Sequence, residues 1–161
     1  MDKKAYFFVI ICTCALIFSS CCTYKQIAYY DFKTKVLGTE LDGSYTVVAW
    51  GRARHALDAY YQAQKQAVYD IVFNGVYAQT ANLPNLQPLL LEVNAKDKYQ
   101  EYFNEFFSDN GEYKNYCSMR DKRWFSSDFY KSDRQAVCKT TVIVYRSKLK
   151  EKLIKDNIIK G

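Results

Sequence analysis

Residues 42–75 read DGSYTVVAWGRARHALDAYYQAQKQAVYDIVFNG. The stretch opens on Asp42-Gly43, a turn signal, because Gly tolerates a positive φ. Residues 45–51 follow, rich in β-branched and aromatic side chains, and predict a strand. Residues 54–74 predict a helix. Ala56, Tyr60, Ala63, Ala67 and Ile71 recur at steps of three and four, and Leu57, Tyr61, Val68 and Val72 widen that stripe. Asp58, Gln62, Lys65, Gln66 and Asp70 lie mostly away from it, so one buried face is the simplest account. The small Ala63 and Ala67 let the helix sit close to a sheet, and Asn74-Gly75 is a C-terminal stop.

Working outward, residues 32–40 predict the strand that precedes the turn. Residues 77–88, with Asn82, Leu83, Pro84 and Asn85, predict a loop. Residues 89–93 predict a short buried strand. Asn94 then predicts the cap of a second helix, with Asp97 three places later as in a capping box. Tyr99, Tyr102, Phe103, Phe106 and Phe107 follow the i, i+3, i+4, i+7, i+8 pattern, which makes one face of that helix aromatic. Residues 113–119 predict a strand, 120–134 a long hairpin loop, and 135–145 a long β-branched strand. Residues 148–157 predict a last helix with Leu149 and Leu153 inward. The order β-β-α-β-α-β-β-α predicts an α+β domain: a mostly antiparallel sheet of about five strands, with two to three helices on one face.

The chain has 161 residues, enough for one such domain. Lys and Arg number 23 against 17 Asp and Glu, a formal charge of +6. Two Pro and six Gly exclude a collagen-like chain and argue against a disordered one. A single His excludes a His-rich metal site.

The N-terminus reads MDKKAYFFVIICTCALIFSSCC. Lys3 and Lys4 form a basic start, and residues 5–18 are an uncharged apolar run. Spanning a membrane takes roughly 20 such residues, so the run fits the core of a secretory signal better. Ser19, Ser20 and Cys21 then resemble the lipobox of bacterial lipoproteins, although Phe18 stands where that family usually carries Leu. The resemblance implies a signal peptide over residues 1–20, lipidation of Cys21 as the mature N-terminus, a tether over 21–31 and a folded domain over 32–161. Several acyl chains hold a protein stably at a membrane where one does not. Thr23-Tyr24-Lys25-Gln26 carries no acidic sorting cluster, which favours an outer-membrane anchor facing the periplasm.

Few residues point to chemistry. His55 lies at a helix start with no nucleophile or carboxylate placed beside it. Asp128 with Asp133, and Glu101 with Glu105, read as solvated faces rather than acid–base pairs. The sequence contains no phosphate loop, no Gly-x-Ser-x-Gly elbow and no calcium loop. Cys117 and Cys138 lie on two strands joined by the 120–134 loop. They are candidates for a disulfide, which an exported compartment permits, or for two buried free thiols. Two cysteines and one His make a poor zinc site, and no metal or cofactor is expected. Fifteen Tyr, ten Phe and two Trp accompany the basic charge. An exported, tethered protein rarely meets nucleic acid, so these aromatics read as protein-contact or core residues. Arg120, Lys122, Arg123, Trp124 and Phe125 form the candidate interface, unless Trp124 folds back on the sheet.

Gly43, Tyr45, Val47, Ala49 and Gly51 lead into Ala59, Ala63, Ala67, Val68, Asp70 and Gly75. Val93-Asn94-Ala95 precedes Tyr99 and Tyr102-Phe103-Asn104. Thr140-Thr141-Val142 and Val144 lead to Arg146-Ser147, Leu149 and Leu153-Ile154. Over nearly all of the mature chain this resembles a group of small lipoproteins of Bacteroidales bacteria. The strand and Ala-rich helix alone are similar to the N-terminal domain of flagellar assembly lipoproteins. Both resemblances imply a non-enzymatic envelope protein, and the first connects the chain with type VI secretion. The expectation is a lipid-anchored periplasmic subunit that binds other envelope proteins. The alternative is a small-ligand or peptidoglycan-binding module, with the aromatic helix or the 77–88 loop lining a groove.

Overall fold

The computed structural model describes residues 25–26, 31–120, 127–132 and 134–160. Residues 1–20, Cys21, Lys122, Arg123, Trp124, Phe125 and Asp133 lie outside them, so the expectations for the signal, the anchor and most of the candidate interface fall there.

Among the described residues seven strands form one sheet: β1 Lys25–Gln26, β2 Lys35–Thr39, β3 Tyr45–Ala53, β4 Tyr77–Ala78, β5 Cys117–Met119, β6 Asp128–Ser132 and β7 Gln135–Val144. The spatial order is β1-β6-β7-β3-β2-β4, and β5 joins the same sheet by pairing with β7. Pairing is antiparallel except for β1 with β6 and β2 with β4. The helices are α1 Ala56–Tyr69, α2 Ala95–Lys98, α3 Gln100–Phe106 and α4 Arg146–Lys155. The domain is α+β with helices packed against a mostly antiparallel sheet.

The centre is built as its sequence dictates. Glu40, Asp42 and Ser44 close the β2–β3 turn: Ser44 donates its N–H and its hydroxyl to Asp42 Oδ1 at 2.9 and 2.6 Å. Gly43 takes the positive φ of 77° that this turn needs. β3 and β7 then pair without a break from Tyr45↔Val144 to Ala53↔Ala136. Alternation puts Val47, Ala49 and Gly51 on the face that α1 covers. A methyl group at Gly51 would overlap the Ala59 carbonyl and the Ala63 amide, so helix and strand touch backbone to backbone. Ala59, Ala63, Ala67 and Val68 are fully buried there.

Several elements differ from expectation for identifiable reasons. α1 ends in a π-helical turn, Asp70–Asn74. The carbonyls of Ile71 and Val72 accept from the N–H groups of Leu89 and Leu90 at 3.0 and 2.9 Å. Residues 89–93 therefore cap a helix end instead of forming a strand, and Leu91 and Val93 face solvent. Asn94 adopts a left-handed φ of 61° and makes no side-chain cap bond, so the expected capping box does not form. The second helix is two segments, α2 and α3. Residues 113–119 divide between a 3-10 turn, Glu112–Tyr116, and β5. The expected 120–134 loop contains β6, which pairs antiparallel with β7 from Asp128↔Lys139 to Ser132↔Gln135. The expected 21–31 tether includes β1, held against Tyr130 and Lys131.

Candidate functional site

Outside its sheet-facing stripe, α1 presents Gln62, Lys65, Gln66 and Tyr69, continued by Phe73 on the π turn. Lys96, Asp97, Gln100, Phe103, Asn104 and Phe107 face them from α2 and α3. Between these two walls runs a groove of about 500 Å³. Its floor is aromatic. Phe73 and Phe103 meet edge to face at 4.7 Å, Tyr69 and Phe73 lie at 4.8 Å and 49°, and Tyr69 and Phe107 at 5.8 Å and 59°. These rings continue into the core through Phe106, Tyr102 and Tyr113. The aromatic stripe expected on residues 99–107 thus both fills the core and lines the groove.

Polar groups ring that floor. The Lys96 ammonium lies 4.7 Å from the Tyr69 ring centroid and 5.0 Å from that of Phe73, a double cation–π contact. Lys65 Nζ pairs with Asp109 Oδ1 at 3.3 Å. Gln66 donates to the buried Asp70 at 2.9 Å, a carboxylate that also accepts from Asn74 at 2.7 Å and from the Thr34 hydroxyl. The side chains of Gln62, Gln100 and Asn104 line the groove and have no hydrogen-bond partner among the described residues. The chemistry offered is hydrogen bonding by carboxamides over an apolar floor, with its cations offset by Asp97 and Asp109.

The opposite face of the sheet centres on Trp50. Phe32 packs against it edge to face at 5.8 Å, Tyr130 lies at 6.1 Å, and Lys139 sits 5.6 Å above its ring. Arg52 in turn stacks over Phe32 at 3.6 Å. A depression of about 400 Å³ beside this cluster is lined by Lys35, Leu37, Val48, Asp128 and Lys139.

Of the two readings of Cys117 and Cys138, the structure has the buried free thiols and not the bridge. Cys117 stands opposite Val144, and Cys138 opposite Gly51 and Phe129. Six residues of β7 separate those positions, roughly 20 Å at strand rise, whereas a disulfide needs Cα atoms within about 7 Å. Both are free and buried. Burial pushes both thiols up to about 12; at Cys117 the Gln64 amide, 3.3 Å away, opposes that shift. His55 is exposed at the N-cap position of α1 and makes no cap bond. Glu101 and Glu105 are exposed as expected. Arg120 is exposed, and its N–H donates to the Thr141 carbonyl at 3.1 Å. Among the described residues no group of three or more His, Cys, Asp and Glu could hold a metal ion.

Sequence reasoning read Gln62, Lys65 and Gln66 as a solvated face and so missed one wall of the groove. The signal was present as two carboxamide pairs at helical spacing, Gln62 with Gln66 and Gln100 with Asn104. No protein-family model, no curated protein and no solved structure matches the chain.

Proposed function

We propose that the chain is a lipid-anchored envelope protein, tethered through Cys21 to the outer membrane with its domain in the periplasm. It acts without catalysis, as an interaction or assembly subunit of an envelope machine such as a secretion system. The observation that carries this reading is the N-terminal sequence, a basic start, an apolar run too short to span and then Ser19-Ser20-Cys21. Behind it stands a folded domain whose first strand begins at Lys25. The chemistry of the domain agrees. Both strand cysteines are protonated at neutral pH, so neither supplies a thiolate nucleophile. The groove offers carboxamides and rings with Lys65, Lys96 and Asp97 at its rim, groups suited to holding a partner. A small-ligand or peptidoglycan-binding role is the second reading, favoured by a groove of about 500 Å³, within the usual size of ligand sites.

Labelling growing cells with radioactive palmitate tests the anchor. The wild type is expected to take up label and sediment with membranes, and Cys21→Ala to lose both; a labelled Cys21→Ala protein would exclude Cys21 as the lipidation site. Cross-linking in intact cells, read by mass spectrometry, tests the role. Envelope-machine components recovered with the wild type and lost with Cys21→Ala are the expected result. Recovery of this protein alone would refute the assembly role.

A further inference from the structure

The groove between α1 and the α2–α3 arm has a spacing that selects among ligands. Gln62 and Gln66 are one helical turn apart on one wall, and Gln100 and Asn104 one turn apart on the other. That separation is about 6 Å along a helix axis. An extended polypeptide repeats every two residues, about 6.6 Å. A carboxamide carries both a donor and an acceptor, so each can engage a backbone N–H or C=O, and two pairs at this pitch can follow a chain for two repeats. The walls run from Gln62 to Phe73, about 16 Å along the helix, which is the length of about five extended residues.

We infer that this groove binds an extended, uncharged peptide segment of a partner protein, read through its backbone by Gln62, Gln66, Gln100 and Asn104. Alternate side chains of that segment enter the aromatic floor. This rests on the interaction role proposed above and names the kind of partner segment.

Two observations favour a peptide over a glycan. Sugar stacking wants one open, flat ring face, but four of the five ring pairs of the floor are tilted at 42° to 67°, and in the one stacked pair, Phe103 with Phe107 at 25°, Phe103 is buried. The Lys96 ammonium also already covers Tyr69 and Phe73. Tilted rings instead leave clefts between them for side chains. Charge argues the same way: Lys65 is paired with Asp109 and Lys96 stands beside Asp97, so the groove has no surplus charge to select an anion.

The test uses the full acylated chain in detergent micelles and a fluorescent, capped heptapeptide of alternating serine and phenylalanine. A second peptide has the same side chains but methyl groups on alternate backbone nitrogens. Fluorescence anisotropy is expected to show saturable binding of the first peptide. N-methylation is expected to weaken it at least about tenfold, as loss of backbone hydrogen bonds requires. The double variant Gln62→Ala/Gln100→Ala, both exposed positions, is expected to weaken it by a similar factor with an unchanged melting temperature. Equal binding of the two peptides, an unaffected double variant, displacement by triacetylchitotriose, or no saturable binding would each overturn the inference. In cells, a double variant that still cross-links to the wild-type partners would remove the groove while leaving the interaction role intact. Loss of partners by the wild type itself would remove that role.

Discussion

The Tyr102 hydroxyl donates to Asp156 Oδ2 at 2.6 Å, and Lys152 reaches the same carboxylate at 3.1 Å and Glu112 at 2.7 Å. Burial alone would raise the Asp156 carboxyl, but the Tyr102 hydroxyl and the Lys152 ammonium hold it below the usual range. Burial, then the Asp156 bond, push the Tyr102 phenol up. The sign follows for each. A lowered carboxyl stabilises the fold above about pH 4 and loses that contribution as pH falls through its folded value. A raised phenol contributes fully below about pH 10 and loses it in more alkaline solution. Tyr102→Phe is therefore expected to cost about 1–2 kcal/mol on a plateau between those limits. Urea unfolding at pH 3, 7 and 11 checks this, and a pH-independent difference would show that the loss is packing alone. The two strand cysteines make a second residue-scale prediction. In native protein at pH 8, iodoacetamide is expected to leave Cys117 and Cys138 unlabelled. In guanidine without reductant both are expected to react, as a bridged pair could not.

At the scale of elements, α1 on β3 is the contact on which the fold turns. Gly51 is the only residue type that lets the Ala59–Ala63 turn lie on the strand backbone. Gly51→Ala forces the two apart and is expected to cost about 3 kcal/mol, the upper range for overpacking, seen as a lowered thermal midpoint. An unchanged midpoint would mean that α1 has more room than this packing shows. The same contact explains what could be read from sequence. The Ala59-Ala63-Ala67 stripe has a helical period, β3 and β7 are long β-branched runs, and Leu149 and Leu153 recur on one face, so each was legible locally. What was not legible depends on a distant partner. Leu89 and Leu90 look like a buried strand until the π turn of α1 offers its carbonyls. Asp128–Ser132 looks like loop because only β7 makes it a strand. Leu57 and Tyr61 fit the buried stripe by period, yet both face solvent, because the sheet beneath covers a narrower arc of α1 than the pattern allows. The groove was half legible: its aromatic wall follows from residues 99–107, while its amide wall resembles any solvated helix face.

At the scale of the whole molecule, one face of the sheet carries the helices and the groove, and the other gathers Phe32, Trp50 and Tyr130. No helix among the described residues is long and apolar enough to cross a membrane. In the anchored form proposed here, β1 pins the chain to the β6 edge only four residues after Cys21. Four residues reach at most about 14 Å. The domain would then ride close to the bilayer with that edge nearest the lipid, rather than on a long stalk. On that same side β7 carries two short strands end to end: Arg120 is fastened to Thr141, and Ser127 to the adjacent Thr140 through their hydroxyls at 2.9 Å. The intervening segment leaves and rejoins the scaffold at neighbouring positions on one strand. Because Arg120 and Ser127 are fixed side by side on β7, a change in the number of residues between them need not shift the register of β5 or β6.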